Sequence, residues 1–246
     1  MPFSKAQSTH NIPYGLPVVK GQMDALSGVH KYGYNDAAST SWETVWDLGG
    51  EYTWITTANT LVVTSTGGAS DDGVKVTLEG IAATTWAPLV EEVELGSSGT
   101  ATTTGSFYRV HRAYISNGQN LSVGAQIEVT QTGGSTKYAI INPTFNQTQM
   151  AVYTIPWGYN GYLVQLSATI QKNQDMVMQL RTREFTTGVG YGVWRAKSVI
   201  STFAGTVDRS FDFPEHMPQG TDIDLQVKCG ALAEVSADFE IILEKL

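Results

Sequence analysis

Apolar and polar residues alternate with a period of two along most of the chain. Val74, Val76 and Leu78 alternate with Lys75 and Thr77, and Val123, Ala125, Ile127 and Val129 with Gly124, Gln126 and Glu128. Tyr162, Val164, Leu166, Ala168 and Ile170 alternate with Leu163, Gln165, Ser167 and Thr169. Ile223, Leu225 and Val227 alternate with Asp222, Asp224 and Gln226, and Phe239, Ile241 and Leu243 repeat the pattern near the C-terminus. Successive strand residues point to opposite faces, so each run predicts a strand with one face on a core. No segment has a convincing helical period. The best helical candidate is 175–183, but its Met176, Met178 and Leu180 keep the strand period.

Turn chemistry separates the runs. Gly67-Gly68, Asp72-Gly73, Gly96, Gly105, Asn117-Gly118, Gly133-Gly134 and Asn160-Gly161 read as connections, because Asn-Gly and Asp-Gly supply the positive φ of tight hairpins. Short strands with regular turns predict an all-β fold, an antiparallel β-sandwich or jelly roll. Residues 1–40 differ. Pro2, Pro13, Pro17 and several glycines interrupt them, so an extended N-terminal arm is expected there. Tyr14, Leu16, Val18, Tyr32 and Tyr34 make that arm too apolar for a solvated tail, so contact with a neighbouring subunit is expected. Residues 41–246 then form the body. It is either two halves, 46–145 and 146–246, joined near Asn142-Pro143-Thr144-Phe145-Asn146-Gln147, or one sandwich sharing strands from both.

Composition narrows the function classes. The 246 residues are long enough to bury a sizeable core. Only 15% are charged, and the net charge is −8. The 15 basic residues are scattered, which argues against nucleic acid as a partner. Arg109 with Arg112, and Arg181 with Arg183, read as solvated or interface faces. Cys229 is the only cysteine, so no intrachain disulfide is possible, and its phase matches the buried positions. There is no basic segment followed by an apolar run at the N-terminus and no run of 18 apolar residues. Neither a signal peptide nor a helical membrane span is expected.

Candidate chemistry is sparse. There is no zinc-protease motif, phosphate-binding loop or serine-hydrolase elbow. Gly188-Val189-Gly190-Tyr191-Gly192 lacks a strand-to-helix setting and reads as a hairpin tip. His10, His30, His111 and His216 have no metal-ligand spacing. His111 is expected to face solvent or an interface, and His216 to lie in a loop. Asp71-Asp72-Gly73 reads as a turn ahead of a calcium loop. Asp222 and Asp224 share a strand face and read as an outer face that resists edge pairing ahead of a glycosidase pair. Trp42, Trp46, Tyr52 and Trp54 cluster around Leu48-Gly49-Gly50. Burial in a core or an interface is favoured there over stacking on sugars. No catalytic residue, metal or cofactor is expected.

A set of ordered landmarks resembles a family of tailed-phage virion structural proteins, common in marine and environmental phages. These are Val29-His30-Lys31-Tyr32-Gly33-Tyr34-Asn35, Glu43-Thr44-Val45-Trp46-Asp47-Leu48-Gly49-Gly50 and Leu61-Val62-Val63-Thr64-Ser65-Thr66. Asp71-Asp72-Gly73-Val74-Lys75-Val76-Thr77-Leu78-Glu79-Gly80 and Tyr108-Arg109-Val110-His111-Arg112-Ala113-Tyr114 follow. Thr148-Gln149-Met150-Ala151-Val152-Tyr153-Thr154-Ile155-Pro156 and Pro218-Gln219-Gly220-Thr221-Asp222-Ile223-Asp224-Leu225 complete the set. The resemblance covers most of residues 29–246. It implies a non-enzymatic virion component, a capsid cement or decoration protein with a jelly-roll body. It also implies the major capsid protein and further copies of the chain, as a homotrimer, as partners. Assembly in a host cytoplasm and a place on the capsid surface follow, with no membrane. A tail fibre, baseplate or receptor-binding component is the alternative, and a carbohydrate-active enzyme a distant third. Tyr14, Leu16, Val18, Tyr32, Tyr34, Trp42, Trp46 and Trp54 are the candidate interface residues.

Overall fold

The computed structural model describes residues 15–186 and 189–246. One short helix, α1 (Gly15–Val19), precedes fifteen strands. These are β1 (Leu26–Ala38), β2 (Glu43–Thr44), β3 (Asn59–Ser65), β4 (Lys75–Ala82), β5 (Pro88–Glu94), β6 (Thr100–Ile115), β7 (Ile127–Gln131) and β8 (Lys137–Ile141). Then come β9 (Val152–Thr154), β10 (Tyr159–Arg183), β11 (Phe185–Thr186), β12 (Gly190–Tyr191), β13 (Arg195–Met217), β14 (Asp222–Cys229) and β15 (Ala233–Lys245). Every pairing among the described strands is antiparallel. The fold is all-β, as the period-two pattern predicts.

Two curled sheets carry two cores. The first sheet has six strands in the order β5-β4-β6-β3-β7-β8 and encloses Leu61, Val76, Leu78, Phe107, Ile127 and Ile141. The second follows the path β1-β15-β10-β14-β2, with β13 on β10 and β9 on β14. Its core holds Leu166, Met178, Leu180, Leu225, Phe239 and Ile241. Residues 142–151 connect β8 of the first sheet to β9 of the second, with Gln147 still bridged to Tyr114 of β6.

The second sheet folds over on itself. β10 pairs with β15 through Tyr159–Ile170 and with β14 through Met176–Arg183. Between these stretches the register against β13 slips, and residues 171–174 bulge opposite Ala204, which has φ 58°. The two ends of β13 then lie side by side: Lys197 Nζ sits 2.7 Å from Glu215 Oε1, and Arg209 Nη1 3.3 Å from Ser198 Oγ. Strands that turn a corner through a bulge are one standard way of making two packed layers from one sheet.

Three local expectations change. The expected arm, residues 1–40, contains a body strand: β1 pairs with β15 from Leu26↔Glu244 to Ala38↔Ala233. Its inward positions are Lys31, Gly33 and Asn35, so polar and small residues hide the alternation. Asn160-Gly161 is not a turn but lies inside β10, where a Cβ on Gly161 would sit 2.4 Å from Ile155 Cδ1. Gly105 likewise lies inside β6. The 160s alternation also changes phase. Leu163 and Leu166 are both buried because the register shifts between Leu163 and Gln165, which turns Tyr162 and Val164 outward.

Gly33 lets β1 approach the backbone of Val45 and Ala151 closely. A Cβ there would lie 2.1 Å from Val45 O and 2.7 Å from Ala151 N, both backbone atoms. Gly33→Ala is therefore expected to cost about 3 kcal/mol, the upper part of the overpacking range. A urea titration against the parent chain checks this, and an unchanged midpoint would remove the close-approach argument.

Candidate functional site

The chain's ionisable and aromatic groups converge where the two sheets meet. β6 of the first sheet faces β14 and β9 of the second. Arg109 on β6 is 2% exposed and grips Asp222 on β14, which is fully buried. Its Nε donates to Asp222 Oδ1 and its Nη2 to Asp222 Oδ2, both at 2.9 Å. Nη1 donates to Ile55 O at 2.7 Å and Tyr108 O at 2.6 Å. Thr154 Oγ1 donates to Asp222 Oδ1 at 2.5 Å and Arg183 Nε to Asp222 Oδ2 at 3.0 Å. The carboxylate is thus ringed by two guanidinium groups and a hydroxyl. Burial alone would disfavour the Arg109 charge, but Asp222 outweighs it and holds its pKa above the ordinary value.

A second pair repeats the first two residues away. Arg181 donates to Asp224 Oδ2 through Nε at 2.9 Å and reaches Glu51 Oε1 at 2.5 Å. Burial raises the Asp224 pKa to about 6, against the pull of Arg181. Both pairs follow from register, because Arg181 lies opposite Asp224 and Arg183 opposite Asp222 across β10 and β14. Aromatic rings cover the arginines. Arg109 lies 4.5 Å from the Tyr108 ring centre and 4.8 Å from Tyr191, and Arg183 lies 4.4 Å from Tyr191 and 4.6 Å from Trp194. Weakly hydrated guanidinium groups suit such a half-dry aromatic setting.

The geometry is that of a clamp. Asp222 and Asp224 do not form an outer face, and Arg109, Arg181 and Arg183 do not form a solvated one. Both Asp222 oxygens already hold arginines, which leaves that carboxylate little acceptor capacity for a substrate, whereas Asp224 holds Arg181 through Oδ2 alone.

A second polar group lies beside the clamp. β6 bulges here, with Glu79 opposite Arg112 and Gly80 opposite Val110, and the extra residue is His111. His111 does not face solvent. It is 7% exposed, accepts from Thr154 N through Nε2 at 3.1 Å, and packs on the Tyr153 ring at 4.3 Å. Burial, with the Lys31 and Arg109 charges, pushes its pKa well down. Lys31 of β1 donates to His111 O. Burial, with Arg112 adding, lowers the Lys31 pKa to about 7.

The remaining candidates scatter. Trp46 and Trp54 are buried in the first core, linked through edge-on Tyr52 at 5.0 and 5.1 Å. Trp42 is half-buried beneath Lys228. Leu16 and Tyr32 are each 41% exposed, Val18 is buried and Tyr34 half-buried. Tyr14 lies outside the described residues. Asp71 is not a calcium ligand in waiting: it turns inward to the Ser65 hydroxyl and to Ser122 N. His216 belongs to β13 rather than to a loop. Gly190 and Tyr191 form β12, which pairs with β11 as a small hairpin. Cys229 is buried. Among the described residues no three His, Cys, Asp or Glu side chains converge as metal ligands, and no helix is long and apolar enough to cross a membrane.

Comparison with known proteins adds little. No protein family and no curated protein sequence matches the chain. Among solved structures, the infectious bursal disease virus Gt strain is similar at 12% identity and a TM-score of 0.27, covering 94% of this chain and 78% of that one. The Gx strain follows at 11% identity and TM-score 0.22, covering 90% and 76%. The VP2 subviral particle of the same virus follows at 10% and 0.20, covering 91% and 78%. Scores this low carry no argument about a shared fold, and the all-β assignment rests on this chain's own strands.

Proposed function

We propose that the chain is a non-enzymatic structural component of a tailed-phage virion, a cement or decoration protein that bridges capsid subunits. The observation that carries this reading is strand β13. It pairs only with β10 among the described strands, so its other edge is open. Val199, Phe203 and Phe213 on β13 are 55%, 63% and 92% exposed, and Val189 and Val193 just before it are exposed as well. An open edge with large apolar side chains invites a second chain. Pro214, within the bulge at 211–214, blunts the backbone edge near one end. That leaves the stretch before it, and the exposed side chains, as the contact surface.

The rest of the reading draws on the ordered landmarks between residues 29 and 246. In this reading the major capsid protein is the partner, and further copies of the chain, as a homotrimer, complete the assembly. The buried arginine clamp supports a rigid, load-transmitting body, because it fixes one sheet against the other.

Quantitative mass spectrometry of purified virions tests the proposal. A copy number that scales with the major capsid protein is the expected result, with antibody label spread over the head. A copy number that scales with tail-tip proteins, with label confined to the tail, overturns the capsid assignment.

A further inference from the structure

A half-open cleft of about 540 Å³ lies between the sheets, next to the clamp but apart from it. β1 supplies Lys31 and His30 to its lining, β4 supplies Glu79, β6 supplies His111 and Arg112, and β9 supplies Tyr153. Its balance of charge runs against the rest of the molecule. The chain carries −8 overall, yet this lining has two cations, Lys31 and Arg112, against one carboxylate, Glu79. Glu79 is loosely engaged with Arg112 at 3.6 Å, and Arg112 also donates to Gln147 Oε1 at 2.7 Å.

Lys31 is the unusual member. It is 8% exposed, and among the described residues its only acceptor is the His111 carbonyl. An ammonium group has three donors and no acceptor. Two N–H groups of a buried amine are therefore left without a protein partner. A buried cation in such a place is costly unless a counter-charge arrives. His111 cannot supply one, since an imidazole is either neutral or cationic, and burial keeps this one neutral. His30, which also borders the cleft, is engaged with Asp238 at 3.7 Å. Tyr153 is held protonated by burial. Clefts between packed units are also where small ligands usually bind.

We infer that this cleft binds a compact oxyanion, a carboxylate or a tetrahedral phosphate-like group, held by Lys31 with Arg112 at its side. The anion takes the two free Lys31 donors and supplies a counter-charge in direct contact, where Glu79 acts on Lys31 only from a distance and is shared with Arg112. The same amine sets the pH response. Lys31 has a pKa lowered to about 7 by burial, so protonation and anion binding strengthen each other.

Isothermal titration of the full chain with sodium acetate, and separately with sodium sulfate, tests this. Both anions keep their charge between pH 6 and 8, so any change with pH belongs to the protein. The expected result is saturable binding about tenfold tighter at pH 6 than at pH 8, the ratio of protonated Lys31 at those values. Tighter acetate binding identifies a carboxylate ligand, and tighter sulfate binding a tetrahedral one. Lys31→Met should abolish binding, and Arg112→Gln should weaken it. Should Lys31→Met fail to fold, the lysine ε-carbon resonances of the parent chain decide, with one resonance shifting on acetate addition. No saturable binding, equal binding at both pH values, or unchanged binding by Lys31→Met would each overturn the inference.

Discussion

Replacing Arg109 with Met is expected to cost about 3–5 kcal/mol, the range for removing one partner of a buried ion pair. Asp222 is fully buried and loses its two-pronged partner in this variant, keeping only Arg183 and Thr154. Ile55 O and Tyr108 O lose their donor in the same step. Asp222→Leu alone should be similarly harmful, because it strands Arg109 at 2% exposure. The double variant Arg109→Met, Asp222→Leu removes both charges and should be clearly less damaged than the sum of the singles. Groups in direct contact show such coupling, and distant ones do not. The partly exposed pair Lys137–Glu128, whose side chains are 31% and 23% exposed, is the control. Lys137→Met should change stability by about 0.5 kcal/mol or less. Guanidinium unfolding of the five chains, at matched ionic strength, measures all of this. An Arg109→Met chain as stable as Lys137→Met would show that the clamp does not hold the sheets together.

The same clamp shows what could be read from the sequence. Period-two alternation identified β4, β10 and β14 as strands and placed Ile223, Leu225 and Val227 on a core. It could not say what covers the other face. Asp222 and Asp224 look like solvent-facing residues, yet a second sheet lies on them. A usable signal was present: two arginines two residues apart on one strand, and two aspartates two residues apart on another. Antiparallel pairing brings Arg181 to Asp224 and Arg183 to Asp222. Nothing local marks Arg109 as the third member, because its partner lies 113 positions away. His111 was misplaced for a different reason. Its strand bulges, and a bulge turns a side chain to the opposite face without leaving a trace in composition. β1 is hidden in the sequence because Lys31, Gly33 and Asn35 occupy its buried face, where a period-two pattern needs apolar residues. Lys31 faces the cleft and Gly33 the backbone of Val45 and Ala151, and these are tertiary reasons for non-hydrophobic choices.

Val199→Lys, Phe203→Lys and Phe213→Lys combined are expected to leave the fold intact and to abolish attachment to capsids. All three side chains are more than half exposed, so each change should alter stability by about 0.5 kcal/mol or less. Circular dichroism and thermal melting would then match the parent chain. Binding is another matter. Lysine on an edge strand adds charge where a partner strand would pair and is a common way of keeping edges apart. Burying three ammonium groups against a partner also costs far more than burying the original apolar side chains. Attachment to capsids that lack the protein should fall by at least about 100-fold, which corresponds to about 2.7 kcal/mol. Val123→Lys provides the control for an added lysine elsewhere, since Val123 is fully exposed and outside every described strand. It adds one charge, as each single lysine on β13 does, and should leave attachment unchanged. Equal loss in both variants would mean that net charge governs attachment. Full attachment by the triple variant would mean that β13 faces solvent in the assembled particle, and the contact surface would have to be sought away from this edge.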